Sequence, residues 1–204
     1  MSDHKCLPDT IRDILNSREP RSFDDKRSTN FRHAGVLLPL LEEGDVCKVL
    51  FTKRTDCVEH HKGQISFPGG AVDEEDASIE ETALRETHEE LGLSEECIEI
   101  LGRIDDTLTV ASNYIVHPVV GLITNLDDLA INRAEVKRVI KAPLNLFYPA
   151  NSVNTRFSVE YEEVIYETPA YEYGEHLIWG ATAKIMKNFM EIIGDKLCLP
   201  PEQK

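Results

Sequence analysis

The apolar positions of this chain follow two rhythms, a helical one at its ends and centre and a strand-like one between. Near the start, Ile11, Ile14 and Leu15 recur at helical spacing, and the charged stretch REPRSFDDKRSTN after them has little to bury. From Arg32 the texture turns to short β-type runs. HAGVLLPLL at residues 33–41 and CKVLFTKR at 47–54 flank the turn of residues 42–45, which predicts a hairpin. ISFPGGAV at 65–72 reads as one further strand ending in glycines.

A helix is predicted from Ala77 to Leu91, with Asp76 or Ser78 as its cap and Gly92 in the left-handed position that closes a helix. Two strand-like runs follow, IEILGRI and NYIVHPVVGLI, then the turn of residues 125–128. VKRVIKAPLNLF and the alternating FSVEYEEVIYE come next, and IWGATAKIMKNFMEII is an amphipathic helix. No repeat or low-complexity tract interrupts them. This order predicts a mixed sheet flanked by helices, an α/β or α+β sandwich.

A chain of 204 residues supports one core, so one main domain is expected. We divide it into an N-terminal helix and connector at 1–30, the main domain at 31–194 and a tail at 195–204. The opening MSDHKCLPDT lacks the basic start and apolar centre of a secretory signal, and no apolar run is long enough to span a bilayer. A cytoplasmic location without membrane attachment is the expectation. Five scattered cysteines without a C-x-x-C pair argue against a disulfide framework or a thiolate zinc site.

The net charge of −15 repels a phosphate backbone, so a nucleic acid is not the expected partner. A small polyanion remains open to such a protein when metal cations reverse the local field. The central helix offers the means. At about 100° per residue, Glu86 and Glu90 share nearly one azimuth and Glu89 lies beside them. Like charges at this spacing repel, and a bound cation converts that cost into affinity. Magnesium prefers such oxygen ligands. Arg85 pairs with Glu89 at i+4, or with Glu81 at i−4, and so orients a ligand carboxylate. Gly69 and Gly70 just upstream let the backbone approach a metal or phosphate closely. A glutamate-rich helix is ordinarily just a solvated face. The glycine-rich strand end and the string Arg-Glu-x-x-Glu-Glu-x-Gly-Leu at 85–93 set this one apart.

At these residues the chain resembles the Nudix hydrolases, whose box reads G-x5-E-x7-R-E-U-x-E-E-x-G-U with U bulky and apolar. The second half matches from Arg85 to Leu93, with Thr87 in a U position. The first half departs, because Asp76 replaces the glutamate and eight residues, not seven, separate it from Arg85. That spacing is similar to the coenzyme A diphosphatase subgroup, which tolerates G-G-x-x-D-x-x-D before T-A-L-R-E. The subgroup's upstream signature finds Leu50, Thr52, Arg54, Thr55, His61, Gly63, Ile65, Phe67, Pro68, Gly69 and Gly70 here.

The resemblance implies a Nudix-like α/β/α sandwich around a mixed sheet. It implies Mg2+ or Mn2+ held by Glu86, Glu90 and Glu89, with a backbone carbonyl of Gly69 or Gly70 contributing. The implied reaction is hydrolysis of the diphosphate bond of coenzyme A or its derivatives to 3′,5′-ADP and 4′-phosphopantetheine. ADP-ribose or a nucleotide sugar is the alternative substrate, and a silent nucleotide-binding domain the alternative of another class. Glu89 and Glu135 are both candidates for the base. Arg54, His61 and Lys62 are candidate phosphate contacts, each with a plain surface or loop role as its alternative. The frequency of homodimers among enzymes makes one the expected assembly.

Overall fold

The computed structural model describes residues 7–23, 31–55, 63–109, 112–148, 157–161 and 164–194. Its centre is an eight-stranded mixed sheet with the path β3-β2-β1-β7-β5. Strands β1 (Arg32–Glu43) and β2 (Val46–Arg54) form the expected hairpin, antiparallel from Leu40 opposite Val49 to Glu43 opposite Val46. Strand β7 (Tyr114–Ile123) runs parallel to β1 and antiparallel to β5 (Ile98–Arg103), so the sheet mixes directions at its middle. The α/β sandwich expected from the sequence is observed.

The two faces of the sheet are filled differently. On one, helix α2 (Ile79–Leu91) packs Ala83 and Leu91 against Leu37, Leu50, Val119 and Ile123. On the other, α1 (Leu7–Asn16) and α3 (Gly180–Ile193) deliver Ile11, Leu15, Met186 and Phe189 to Leu38, Phe51, Val120 and Phe147. Neighbouring strand residues therefore serve opposite layers, as in Leu50 and Phe51. At about 2 kcal/mol for each large side chain taken out of water, these layers supply the main driving force.

The single strand expected at 65–72 is two. Strand β3 (Ile65–Ser66) pairs with β2, whereas β4 (Gly69–Ala71) crosses to pair with β1. Pro68 lies at the break; it lacks an N–H for a ladder, and its carbonyl accepts from the Leu37 amide instead. The last helix begins at Gly180, because Ile178 and Trp179 still belong to β12 (His176–Trp179), which pairs with β11 (Ala170–Tyr173). Strand β6 (Thr107–Thr109) lies on β7, and β8 (Val136–Pro143) lies on β2. The alternating segment forms the hairpin of β9 (Phe157–Tyr161) and β10 (Val164–Thr168). Among the described residues, no helix is long and apolar enough to cross a membrane.

Candidate active site

Helix α2 is framed by the residues that its sequence proposes. Ser78 is the N-cap, its hydroxyl accepting from the Glu81 amide, while the Glu81 carboxylate accepts from Ala77 N–H. Glu81 is thus committed to the cap and is not Arg85's partner. Gly92 closes the helix with φ 70°. Beyond it, the chain turns back so that the amides of Ala130 and Asn132 donate to the Leu91 and Glu90 carbonyls. This brings the loop carrying Glu135 to the C-terminal end of α2.

Glu90 is the most enclosed carboxylate of the group, only 2 % exposed. Its Oε2 is buried without a hydrogen-bond partner, and its Oε1 lies 3.8 Å from Arg54 Nη1. Burial pushes its pKa up to about 7, helped by the charges of Glu135 and Glu86 and opposed by Arg54 and the Gly69 backbone. Glu86 is raised as well, mainly by burial, with Arg85 working against that and Glu89 and Glu135 adding to it. Both helix glutamates therefore feel Glu135, which is half-buried and accepts a hydrogen bond from Asn132 at 3.3 Å. The Glu135 carbonyl accepts from the Thr55 amide, tying this loop to the end of β2.

Gly70 explains the requirement for a bare backbone. A Cβ there would stand 2.4 Å from the Glu86 carboxyl carbon. At Gly69, φ is 152° and a Cβ would meet the Gly35 carbonyl at 2.5 Å. Arg85 organises the acidic face. Its Nη1 donates to Glu86 at 2.8 Å and to Glu89 at 3.1 Å, and its Nη2 to the Ala71 carbonyl at 3.2 Å. Asp76 anchors it from the other side. Thr87 is fully buried, its hydroxyl donating to the Ala83 carbonyl at 2.6 Å, so a threonine occupies a bulky apolar slot without a stranded polar group.

The structure brings together Arg54, Gly69, Gly70, Arg85, Glu86, Glu89, Glu90 and Glu135. His61 and Lys62 lie outside the described residues. Asn132 was not singled out from the sequence, although an Asn-Arg-Ala turn before Glu135 is the sort of signal that marks a loop-ordering side chain; its Oδ1 accepts from Ala134 N–H. Among the described residues, no three carboxylate, imidazole or thiolate side chains already converge as a metal cage. Glu86 and Glu89 lean on Arg85 instead. The donor set nonetheless suits a hard divalent cation: oxygen ligands only, with one buried carboxylate oxygen lacking any proton donor.

The fold sets a glutamate-bearing helix against a glycine strand, and comparison gives the family. The model of the NUDIX domain matches residues 31–149, and the chain belongs to that family. It is 37% identical over 163 residues to the uncharacterised Nudix hydrolase NudL of Photorhabdus laumondii, covering 78% of this chain and 83% of the relative. It is 32% identical over 183 residues to NudL of Yersinia enterocolitica, covering 87% of both chains. Among solved structures, a MutT/nudix family protein from Enterococcus faecalis shares the fold with a TM-score of 0.52 at 19% identity, covering 95% of this chain and 71% of that one. The protein is a Nudix pyrophosphohydrolase that acts on nucleoside diphosphate derivatives, in a family that uses divalent cations.

Proposed function

We propose that this Nudix hydrolase cleaves the diphosphate bond of coenzyme A and its acyl derivatives, giving 3′,5′-ADP and 4′-phosphopantetheine or its acyl form. The observation that carries the reading is the position of Arg54. It is the arginine of the upstream signature that resembles the coenzyme A subgroup, and it stands against Glu90 at 3.8 Å. The same signature runs on through β3 to the Phe67-Pro68-Gly69-Gly70 strand end.

Glu86, Glu90 and Glu89 would hold Mg2+ or Mn2+, which supplies charge neutralisation at the diphosphate and acidifies an attacking water. Gly70 lets the backbone lie directly against the Glu86 carboxylate, where its carbonyl would join the ligand set. Arg85 fixes the rotamers of Glu86 and Glu89, and Arg54 offers a guanidinium to a phosphate oxygen. The proton of the attacking water passes to Glu135 or to Glu89. Replacing each by glutamine separates these two, because the base is the one whose loss removes the acid limb of the kcat–pH profile at saturating metal.

The test is a product assay with magnesium or manganese on coenzyme A, an acyl derivative, NADH and ADP-ribose, with wild type and Glu90→Gln. Coenzyme A is expected to have the highest kcat/KM, and Glu90→Gln is expected to lose turnover while folded. A higher kcat/KM for ADP-ribose would overturn the substrate assignment.

A further inference from the structure

Three basic groups gather just across the strand end from Arg54. Leu50 packs in the layer under α2, whereas Val49 and Phe51 pack in the layer under α3, so β2 alternates regularly between faces. That alternation puts Lys53 on the α3 side, while Arg54, where the pairing with β8 shifts register, approaches Glu90 Oε1 at 3.8 Å. On the neighbouring strand β8, Ile140 and Ala142 pack in the α3 layer, which puts Arg138 on that side too, directly opposite Lys53. Like charges directly opposite one another in a sheet destabilise it.

His176, at the start of β12, is the third member. Its Nδ1 is buried without a partner, which leaves Nε2 as the ring nitrogen that faces the cluster. The Nε2 atom is 3.9 Å from Glu175 Oε1, and the same oxygen accepts from Arg138 Nη2 at 2.6 Å. Lys53 and Arg138 both bear on His176 electrostatically, with Glu175 as the offsetting carboxylate. Glu175 is 72% exposed, so it is a weak and displaceable counter-ion. Locally, one exposed carboxylate faces Lys53, Arg138 and His176, so the cluster keeps an excess of proton donors for a second anion.

We infer that Lys53, Arg138 and His176 form an anion subsite for a phosphate monoester of the substrate, separate from the diphosphate that is cleaved. Resting on the coenzyme A reading above, that group is the 3′-phosphate of the ribose. A phosphate monoester carries close to two negative charges and three acceptor oxygens. It outbids the single charge of Glu175 for the guanidinium, the ammonium and the imidazole Nε2. The subsite would make the 3′-phosphate a requirement for tight binding, and the discrimination would appear in KM.

The experiment compares kcat and KM for coenzyme A and 3′-dephospho-coenzyme A in wild type, Lys53→Gln, Arg138→Gln and Glu175→Gln, with thermal melts confirming that each variant is folded. Wild type is expected to prefer coenzyme A by about tenfold or more, the scale of one or two charged hydrogen bonds. Lys53→Gln and Arg138→Gln are expected to bring the ratio towards one through KM. Glu175→Gln is expected to increase it, since the competing carboxylate is gone. Equal kcat/KM for the two compounds in wild type, or an undiminished ratio in both cation variants, would overturn the subsite while leaving the coenzyme A reading intact. Hydrolysis of neither compound would overturn that reading, and the subsite with it.

Discussion

Asp76 and Arg85 form a two-point ion pair, Nε to Oδ1 at 2.9 Å and Nη2 to Oδ2 at 3.0 Å. The extra residue between them, compared with the usual Nudix spacing, is absorbed before α2 begins. Asp76 Oδ2 also accepts from Thr82 Oγ1 at 2.8 Å and from the Asp73 amide at 2.9 Å. The shorter aspartate therefore holds the loop between Gly70 and α2 as well as the arginine. The arginine holds Glu86 and Glu89, so the acidic face is ordered from outside itself.

Asp76→Asn keeps the shape and removes the charge. Hydrogen bonding to Arg85 holds the Asp76 carboxyl well below the usual carboxylate range, so the charged form belongs to the fold. Charged hydrogen bonds of this kind contribute about 2 kcal/mol, or about 5 °C of melting temperature in a chain of this size. A thermal melt checks the loss. The second consequence is catalytic: Arg85, released from Asp76, draws closer to Glu86 and Glu89, and kcat is expected to fall. An unchanged melting temperature would remove Asp76 from this role.

The two site glycines are expected to fail differently. Gly70→Ala drives a methyl into the Glu86 carboxylate, a side chain that is able to move, so kcat should drop at least about tenfold with a modest loss of stability. Gly69→Ala meets backbone at Gly35 and Val36 and carries a φ of 152°, so its main effect should be on folding. Soluble yield and melting temperature for both, with kcat for Gly70→Ala, separate the cases. Equal loss of stability in the two variants would contradict the geometry.

Helix α2 was legible because its end signals are local: Ser78 and Gly92 act within one turn of the residues they cap, whereas the reciprocal bond of Glu81 to Ala77 was not read. The glutamate face was legible for the same reason. The partners that complete the site were harder to read. Glu135 comes to Glu86 and Glu90 only because Ala130 and Asn132 bond the end of α2, a contact spanning some forty residues with no periodicity to announce it. The break at Pro68 was hidden because β3 and β4 are each too short to show alternation, and only their different partners distinguish them. Trp179 fell inside the stretch read as the last helix; it ends β12 and is half-buried, since Gly180 turns the chain with φ 67°.

Acid sensitivity should centre on Asp106. It is fully buried, its Oδ1 lies 2.7 Å from His117 Nδ1, and its Oδ2 accepts from Ser22 Oγ and the Phe23 amide. His117 Nε2 continues to His33 Nδ1 at 2.8 Å. Burial raises the Asp106 pKa, but these hydrogen bonds outweigh it and the net shift is downward. A depressed carboxylate stabilises the fold fully above its unfolded value of about 3.9, and that contribution is lost as pH falls through the folded value. Urea unfolding of wild type between pH 5 and pH 3 should therefore lose stability more steeply than Asp106→Asn. Parallel curves would assign the acid limb elsewhere, with Asp105 next, since its net shift is also downward.

Glu90 should show a conflict between stability and activity. Its carboxylate moves from an ordinary 4.5 up to about 7, which at ~1.4 kcal/mol per unit represents on the order of 3 kcal/mol spent on burying charge in the protein without cation. A raised carboxylate pKa costs the fold nothing below the unfolded value, and the full cost is present above about pH 7. Glu90→Gln removes the charge with little change of shape. At pH 8 with a chelator present, this variant should therefore melt at or above wild type. Adding magnesium or manganese reverses the order, because a ligand that binds only the native state stabilises the chain able to bind it. Melting curves of both proteins, with and without the cation, give four values. A variant that melts well below wild type in chelator would mean that the buried carboxylate is a structural anchor and not a cation ligand, because the cost of its charge would then be offset within the protein itself.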